Sequence, residues 1–277
     1  TTPLEFPALR GFIALIIASL IWGTSPPATE FALASFSPQV IIFFRFFLSS
    51  ILLFLMLRKT PLISKPTIIL GILNALAHEL QFTGQVFTTA SKVAIISNTF
   101  PIYVGILAPL VLKEKVIKRN IISIVLGTLG VLLIGNVFEF KGINFGDFLS
   151  FLASIIYAFY VVVAKRFSLQ IEPIHYTFST NFVSTFIALA FLPLFFKSQP
   201  DIVPSLSIIW LAVFPSSLGY IFYFYGLKFK GAISSSVIIL STIIFGTVLS
   251  IVILGESLSI PETFGLFLVA LGVVLAK

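Results

Sequence analysis

The chain has 277 residues, of which 58% are hydrophobic and 10% charged, with 32 phenylalanines and a mean hydropathy of +1.13. Soluble domains carry roughly a quarter charged residues and could not bury this much apolar surface, so a soluble enzyme, a nucleic-acid binder and a disordered hub are excluded. The net charge of +7, from 17 Lys and Arg against 10 Asp and Glu, then reads as a label of loop topology rather than a nucleic-acid signal.

A bilayer-spanning helix needs roughly 20 apolar residues. Such windows predict an all-α integral membrane protein of ten transmembrane spans, at about 10–28, 37–57, 66–88, 93–112, 119–136, 146–165, 173–196, 205–227, 232–254 and 261–276. The segments lack the alternating pattern of barrel strands. Thr1 to Arg10 has no signal-peptide pattern, so the first span is expected to direct insertion. With ten spans both termini share a side, and that side gathers thirteen of the 17 basic residues, from Arg10 through Lys113, Lys115, Lys118 and Arg119 to Lys277. The other side has Lys92, Lys141 and Lys197, and Arg45 falls inside a span. The positive-inside rule therefore predicts a multi-pass protein of the cell membrane with both termini cytoplasmic.

Polar groups are costly in hydrocarbon and tend to face a bundle interior or a water-filled cavity, so those inside the spans are the candidate functional residues. Span one carries Trp22 and ends near Pro26-Pro27; span two carries Arg45. In span three Asn74, His78, Gln81, Gln85 and Thr88 are spaced 4, 3, 4 and 3, one face of a helix. This stripe is expected to line a path across the membrane, the ordinary alternative being hydrogen bonding between helices. Glu79 lies on the same span at a depth matching Arg45, which predicts an intramembrane ion pair or, with His78 beside it, a proton carrier at Glu79. Span four holds Ser97-Asn98 beside Pro101, then Tyr103 and Pro109, and ends in Lys113-Glu114-Lys115, read as a solvated helix end. Prolines release a carbonyl one turn earlier, so Pro26-Pro27, Pro101, Pro109 and Pro215 are expected to mark helix breaks, with Asn98 a substrate contact. Tyr157 and Tyr160 in span six, and Tyr220 and Tyr223 in span eight, are pairs three residues apart that share a face. Such rings can stack on an organic substrate or attract its cation. Ser234-Ser235-Ser236 in span nine reads as close packing. Gly127 and Gly130 in span five, and Gly265 and Gly272 in span ten, fit a scaffold or a dimer contact.

The two halves match each other. An offset of 142 aligns Phe82 with Phe224, Gly84 with Gly226, Ala90 with Ala232, Glu114 with Glu256 and Gly130 with Gly272; earlier the offset is 135, pairing Trp22 with Tyr157, Pro38 with Pro173 and Ser49 with Ser184. Five spans per repeat reverse its orientation in the bilayer, a design found in transporters with a central site. The repeats predicted are residues 1–137 and 138–277.

These residues resemble the ten-helix, EamA-type members of the drug/metabolite transporter superfamily. The resemblance covers essentially the whole chain and rests on Ile21-Trp22-Gly23, on the run from Ala90 through Pro101 to Lys113-Glu114-Lys115, and on Gly127-Thr128-Leu129-Gly130. Echoes follow at Ala232, Gly255-Glu256 and Leu271-Gly272, while Tyr157 replaces a Trp and Ile243 replaces the counterpart of Pro101. The resemblance implies export of amino acids and other small metabolites along a path between the halves, and it places the aromatic residues around the cavity.

Zero cysteines and two histidines, His78 and His175, leave no thiolate metal site, disulfide framework or His-rich cage. The sequence has no HExxH, P-loop, dinucleotide fingerprint or Ser-His-Asp pattern. The expectation is a secondary transporter and not an enzyme, working by alternating access, with no cofactor, no metal and no nucleic-acid partner. Its partners would be a small-molecule substrate and the lipid bilayer, as a monomer or a homodimer through spans five and ten. A proton-coupled exporter of organic cations is the alternative within transport; an intramembrane enzyme is the alternative outside it.

Overall fold

The computed structural model describes residues 5–135, 142–192, 201–254 and 258–277. Lys141, Lys197, Gly255, Glu256 and the expected boundary between repeats lie outside the described residues. Those that are described form helices joined by short connections, and no strand occurs among them. In chain order the helices are α1 (Glu5–Gly23), α2 (Ser25–Leu33), α3 (Pro38–Leu57), α4 (Lys65–Phe87), α5 (Ala90–Ser97), α6 (Phe100–Leu112) and α7 (Lys118–Ile134). There follow α8 (Phe145–Phe167), α9 (Pro173–Ala190), α10 (Ile202–Val213), a π-helical segment (Phe214–Gly219), α11 (Tyr220–Phe229), α12 (Ala232–Ile239), α13 (Ser241–Leu254) and α14 (Ile260–Ala276).

Among the described residues six stretches are long and apolar enough to cross a bilayer: Phe6–Leu33, Pro38–Leu57, Lys92–Leu112, Phe145–Phe167, Ile202–Phe229 and Ala232–Leu249. The sequence windows counted ten. The difference has a physical reason: α4 and α9 carry polar residues along their length, and α7 and α14 are 17 residues each.

Prolines explain most of the helix junctions. Pro26 and Pro27 sit in the first turn of α2, where a missing N–H costs nothing, and the chain breaks at Thr24 just before it. Pro101 similarly opens α6 after a break at Asn98 and Thr99. Pro215 interrupts the α-helical ladder and the chain widens into the π-helical segment. Pro109 is the exception to the expectation, because α6 runs through it without a break. Side-chain caps fix other ends: Asn144 and Asp147 exchange backbone bonds of 3.0 Å at the start of α8, and Ser259 and Glu262 do the same for α14.

Close packing depends on glycine at three crossings. A side chain at Gly130 would meet the Gly265 carbonyl at 2.5 Å, which fixes α7 against α14. Gly84 of α4 and Gly146 of α8 cross in the same way, as do Gly226 of α11 and Gly11 of α1. The glycines of α7 and α14 are thus committed to each other within the chain. The outer surface is apolar, with Leu55, Leu110, Phe186, Val252 and Val274 exposed, whereas Ser19, Ser49, Asn74, Asn181 and Ser184 are fully buried. Polar inside and apolar outside is the arrangement a hydrocarbon solvent selects.

Candidate functional site

Four helices, α1, α4, α8 and α11, bring the polar stripe and the aromatic residues together. Asn74 is fully buried; its amide donates to Ser184 Oγ of α9 at 3.2 Å, and its Oδ1 accepts from the Tyr220 hydroxyl at 2.7 Å. One turn on, His78 Nδ1 lies 2.8 Å from the Asn74 carbonyl, and its ring packs edge-on against Tyr157 at 5.7 Å and Phe46 at 5.3 Å. Gln81, the next residue of the stripe, accepts from the Tyr157 hydroxyl through Oε1 at 2.6 Å. Gln85 is half-buried further along. Thr88 leaves the stripe: its hydroxyl donates to Asp147 at 2.8 Å, at the helix end where Asp147 also pairs with Lys92 at 3.1 Å.

The aromatic residues form the facing wall. Trp22 of α1 lies 5.1 Å from Tyr220 and 5.3 Å from Tyr223 between ring centres, and Tyr160 of α8 lies 6.2 Å and 6.3 Å from the same two rings. The hydroxyls of Tyr160 and Tyr223 are buried without a partner. Tyr103 stands apart from this group, half-buried against Phe151. Asn98 is also separate; it folds back on its own helix, donating to the Ala94 carbonyl at 2.7 Å.

The π-helical segment supplies what the sequence reading missed. Pro215 cannot donate to the carbonyl one turn earlier, and in the widened turn that it opens the Pro215 and Ser216 carbonyls take side-chain donors from other helices, the kind of protein partner that irregular backbone at membrane depth needs. Trp22 Nε1 donates to the Pro215 carbonyl at 2.9 Å; Asn181 of α9 and Ser49 of α3 donate to the Ser216 carbonyl at 2.6 and 3.2 Å. Ser49 also accepts from Asn181 at 2.9 Å and lies 2.7 Å from the Ser217 hydroxyl. Ser49, Asn181, Ser184, Ser216 and Ser217 are small polar residues scattered through apolar sequence. The signals that could have found them are the Ser49–Ser184 match at an offset of 135 and the Ser-Ser pair after Pro215.

Arg45 enters this network from α3. It is 4% exposed and its Nε donates to Ser216 Oγ at 2.9 Å. Its guanidinium carbon lies 5.6 Å from the centre of the Phe46 ring, which also packs on His78 at 5.3 Å. The expected ion pair with Glu79 does not form. Glu79 is 5% exposed with Oε1 unpartnered, and the one ion pair among the described residues is Lys92–Asp147. Matched depth did not imply matched direction: Glu79 is the neighbour of His78, turned by about 100° around the helix axis, while Arg45 turns toward the π-helical segment.

The Lys113-Glu114-Lys115 end departs from expectation in one residue. Lys113 and Lys115 are exposed, but Glu114 is half-buried, and its carboxylate accepts from the backbone N–H of Ala232 at 2.8 Å and of Ile233 at 3.4 Å, capping α12. Ser235 and Ser236 are buried beside it in the same helix, as expected for packing.

Comparison with known proteins places the chain in a family. The sequence model of the EamA-like transporter family matches residues 9–136 and again 144–276. The uncharacterized transporter YyaM of Bacillus subtilis is 27% identical over 289 residues, covering 97% of this chain and 94% of its own. An uncharacterized transporter of Archaeoglobus fulgidus is 24% identical, covering 96% and 85%, and one of Clostridium kluyveri is 29% identical, covering 71% and 66%. A solved crystal structure shares the fold with a TM-score of 0.80 at 17% identity, over 99% of this chain and 96% of that one. With both halves of the chain matched, its apolar helices and its homologues named as transporters, the protein belongs to the EamA-like transporter family, consistent with the drug/metabolite transporter superfamily.

Proposed function

We propose that the protein is a secondary transporter that exports amino acids or similar small metabolites by alternating access, built as two inverted five-helix repeats around a central cavity. The observation that carries this reading is a set of contacts recurring at the repeat offsets. An offset of 135 takes Trp22 to Tyr157, and one of 142 takes His78 and Gln81 to Tyr220 and Tyr223. Trp22 packs on Tyr220 and Tyr223, and Tyr157 packs on His78 and bonds Gln81. The glycine crossings follow the same two offsets, Gly84 with Gly146 answering Gly226 with Gly11. Two related halves meeting face to face account for both coincidences, and inverted repeats of this kind bind substrate where they meet.

In this reading Trp22, Asn74, His78, Gln81, Gln85, Tyr157, Tyr160, Tyr220 and Tyr223 face the substrate, with Asn98 and Tyr103 further along the path. Both termini lie in the cytoplasm, where the positive-inside rule puts the Lys- and Arg-rich end. The protein works as a monomer in the bilayer, or as a homodimer through the outward faces of α7 and α14, since their glycines are already engaged. The test is counterflow of labelled amino acids in proteoliposomes. Exchange of label across the membrane supports transport. Chemical turnover with no change of compartment would favour an intramembrane enzyme.

One observation favours a second reading, a proton-coupled exporter of organic cations: the Glu79 carboxyl is buried with an unpartnered oxygen. Uptake of tetraphenylphosphonium driven by a pH gradient would support it.

A further inference from the structure

The feature that neither the fold nor the pairing of the halves explains is Arg45. A guanidinium is always charged, and inside a membrane such groups pair with an acid, bond backbone carbonyls or face water. Here the Nε donates to the Ser216 hydroxyl, and both terminal nitrogens are left without a protein acceptor among the described residues. The Phe46 ring beneath it, 5.6 Å away, belongs to its own helix. Among the described residues no carboxylate pairs with it: Glu79 is not its partner, and Asp147 is held by Lys92 and Thr88 at the start of α8.

Its surroundings are those of the candidate site. The Phe46 ring beneath it packs on His78 at 5.3 Å, and His78 packs on Tyr157 at 5.7 Å. The hydroxyls of Tyr157 and Tyr220 are already oriented by Gln81 and Asn74. Ser216 is held in turn, because its carbonyl is fixed by Asn181 and Ser49. A planar fork whose terminal N–H edge is free, oriented by its Nε bond and lying beside a wall of aromatic rings, is a receptor for a planar anion. Carboxylate is the group whose two oxygens match that fork.

We propose that Arg45 binds the carboxylate of the transported molecule, so that the site takes amino acids or other small carboxylic acids and rejects organic cations. The proposal rests on the reading of the central cluster as the substrate site, and it narrows that reading to one chemical class. The aromatic group of Trp22, Tyr160, Tyr220 and Tyr223 then receives the remainder of the substrate, by stacking or by attracting its ammonium group. A lipophilic cation would meet the unneutralised charge of Arg45.

Two measurements on the full-length protein separate this proposal from the transport reading. Equilibrium binding is measured with a panel of amino acids of small, polar and aromatic side chain. Each is compared with its carboxamide, which keeps the side chain and ammonium but lacks the anion, and with tetraphenylphosphonium. Counterflow in proteoliposomes uses the same panel. The expected result is that acids bind and their amides do so on the order of 30-fold more weakly or worse. Arg45→Gln should erase that difference, Arg45→Lys should keep a reduced one because the ammonium lacks the fork, and Ser216→Ala should keep the preference for acids. If Arg45→Gln does not elute as a folded species, the acid-to-amide ratio of the wild-type protein and of Arg45→Lys decides. Equal binding of acid and amide, tighter binding of the cation, or an unchanged ratio in folded Arg45→Gln overturns the proposal. Acid-selective binding that depends on Arg45, with no counterflow, upholds it while removing the transport reading.

Discussion

Hydroxyl groups at single tyrosines offer the finest test of the site. Tyr157 bonds Gln81 at 2.6 Å and Tyr220 bonds Asn74 at 2.7 Å, each across two helices. Interhelical hydrogen bonds in membrane proteins average about 0.6 kcal/mol, so Tyr157→Phe and Tyr220→Phe should each leave the fold intact. In the proposed reading these bonds orient the groups facing the substrate, so the apparent KM should rise by roughly threefold, the equivalent of that energy. Trp22→Ala removes two aromatic contacts and the donor to the Pro215 carbonyl. Aromatic pairs contribute about 0.5–1.5 kcal/mol each beyond burial, so its loss should exceed tenfold, read from counterflow rates with melting temperature as the control. Glu79→Gln decides the proton question at the same scale. Its Oε1 has no partner to lose, so the variant should fold, and under the proposed amino-acid reading its transport should keep the wild-type pH profile; loss of that profile would assign the proton to Glu79. The pairing of Arg45 with Ser216 rather than Glu79 was not legible in the sequence, because helix depth can be counted from residue numbers but the direction of a side chain around the axis is set by partners on other helices.

At the scale of the element, the π-helical segment does the most with one residue. Pro215 cannot donate to the turn before it, the ladder widens, and the carbonyls of Pro215 and Ser216 accept from Trp22, Asn181 and Ser49. Pro215→Ala restores the donor to the preceding turn and lets the segment close to a regular α-helical ladder, in which the N–H groups one turn later compete for those carbonyls. The variant should be at least as stable as the parent, because proline inside a helix costs about 3 kcal/mol, yet transport should fall as Trp22 loses its anchor. Intrinsic fluorescence would follow the indole, with Trp210 replaced by Phe so that Trp22 alone reports; a variant with full activity and an unmoved Trp22 signal would show that the widened turn has no role in the site. Helix positions were legible here because bilayer thickness demands long apolar windows, and most breaks were legible because proline cannot continue the ladder. Pro109, inside the unbroken α6, and Glu114, bonded to α12, were not, since both outcomes depend on what packs alongside.

For the whole molecule, the cap at Glu114 joins the two proposed halves at the end rich in Lys and Arg. Glu114 ends α6 in the first half and holds the N-terminus of α12 in the second, and a side chain on Gly231 would fall 2.2 Å from its carboxylate oxygen. The same end is tied by Lys165 to the Leu227 carbonyl at 2.6 Å, by Arg119 to the Leu275 carbonyl and by Lys230 to the Lys277 carbonyl. Under alternating access this joint opens once in each cycle, whereas in a static pore it stays shut. The absence of cysteine makes the protein a ready background for the test. Glu114→Cys with Gly231→Cys, bridged by a reducible bifunctional thiol reagent, should bind amino acids but stop counterflow, and reduction should restore it. Counterflow that continues in the bridged protein would mean that the halves need not part at this end, and the alternating-access reading would fall with it.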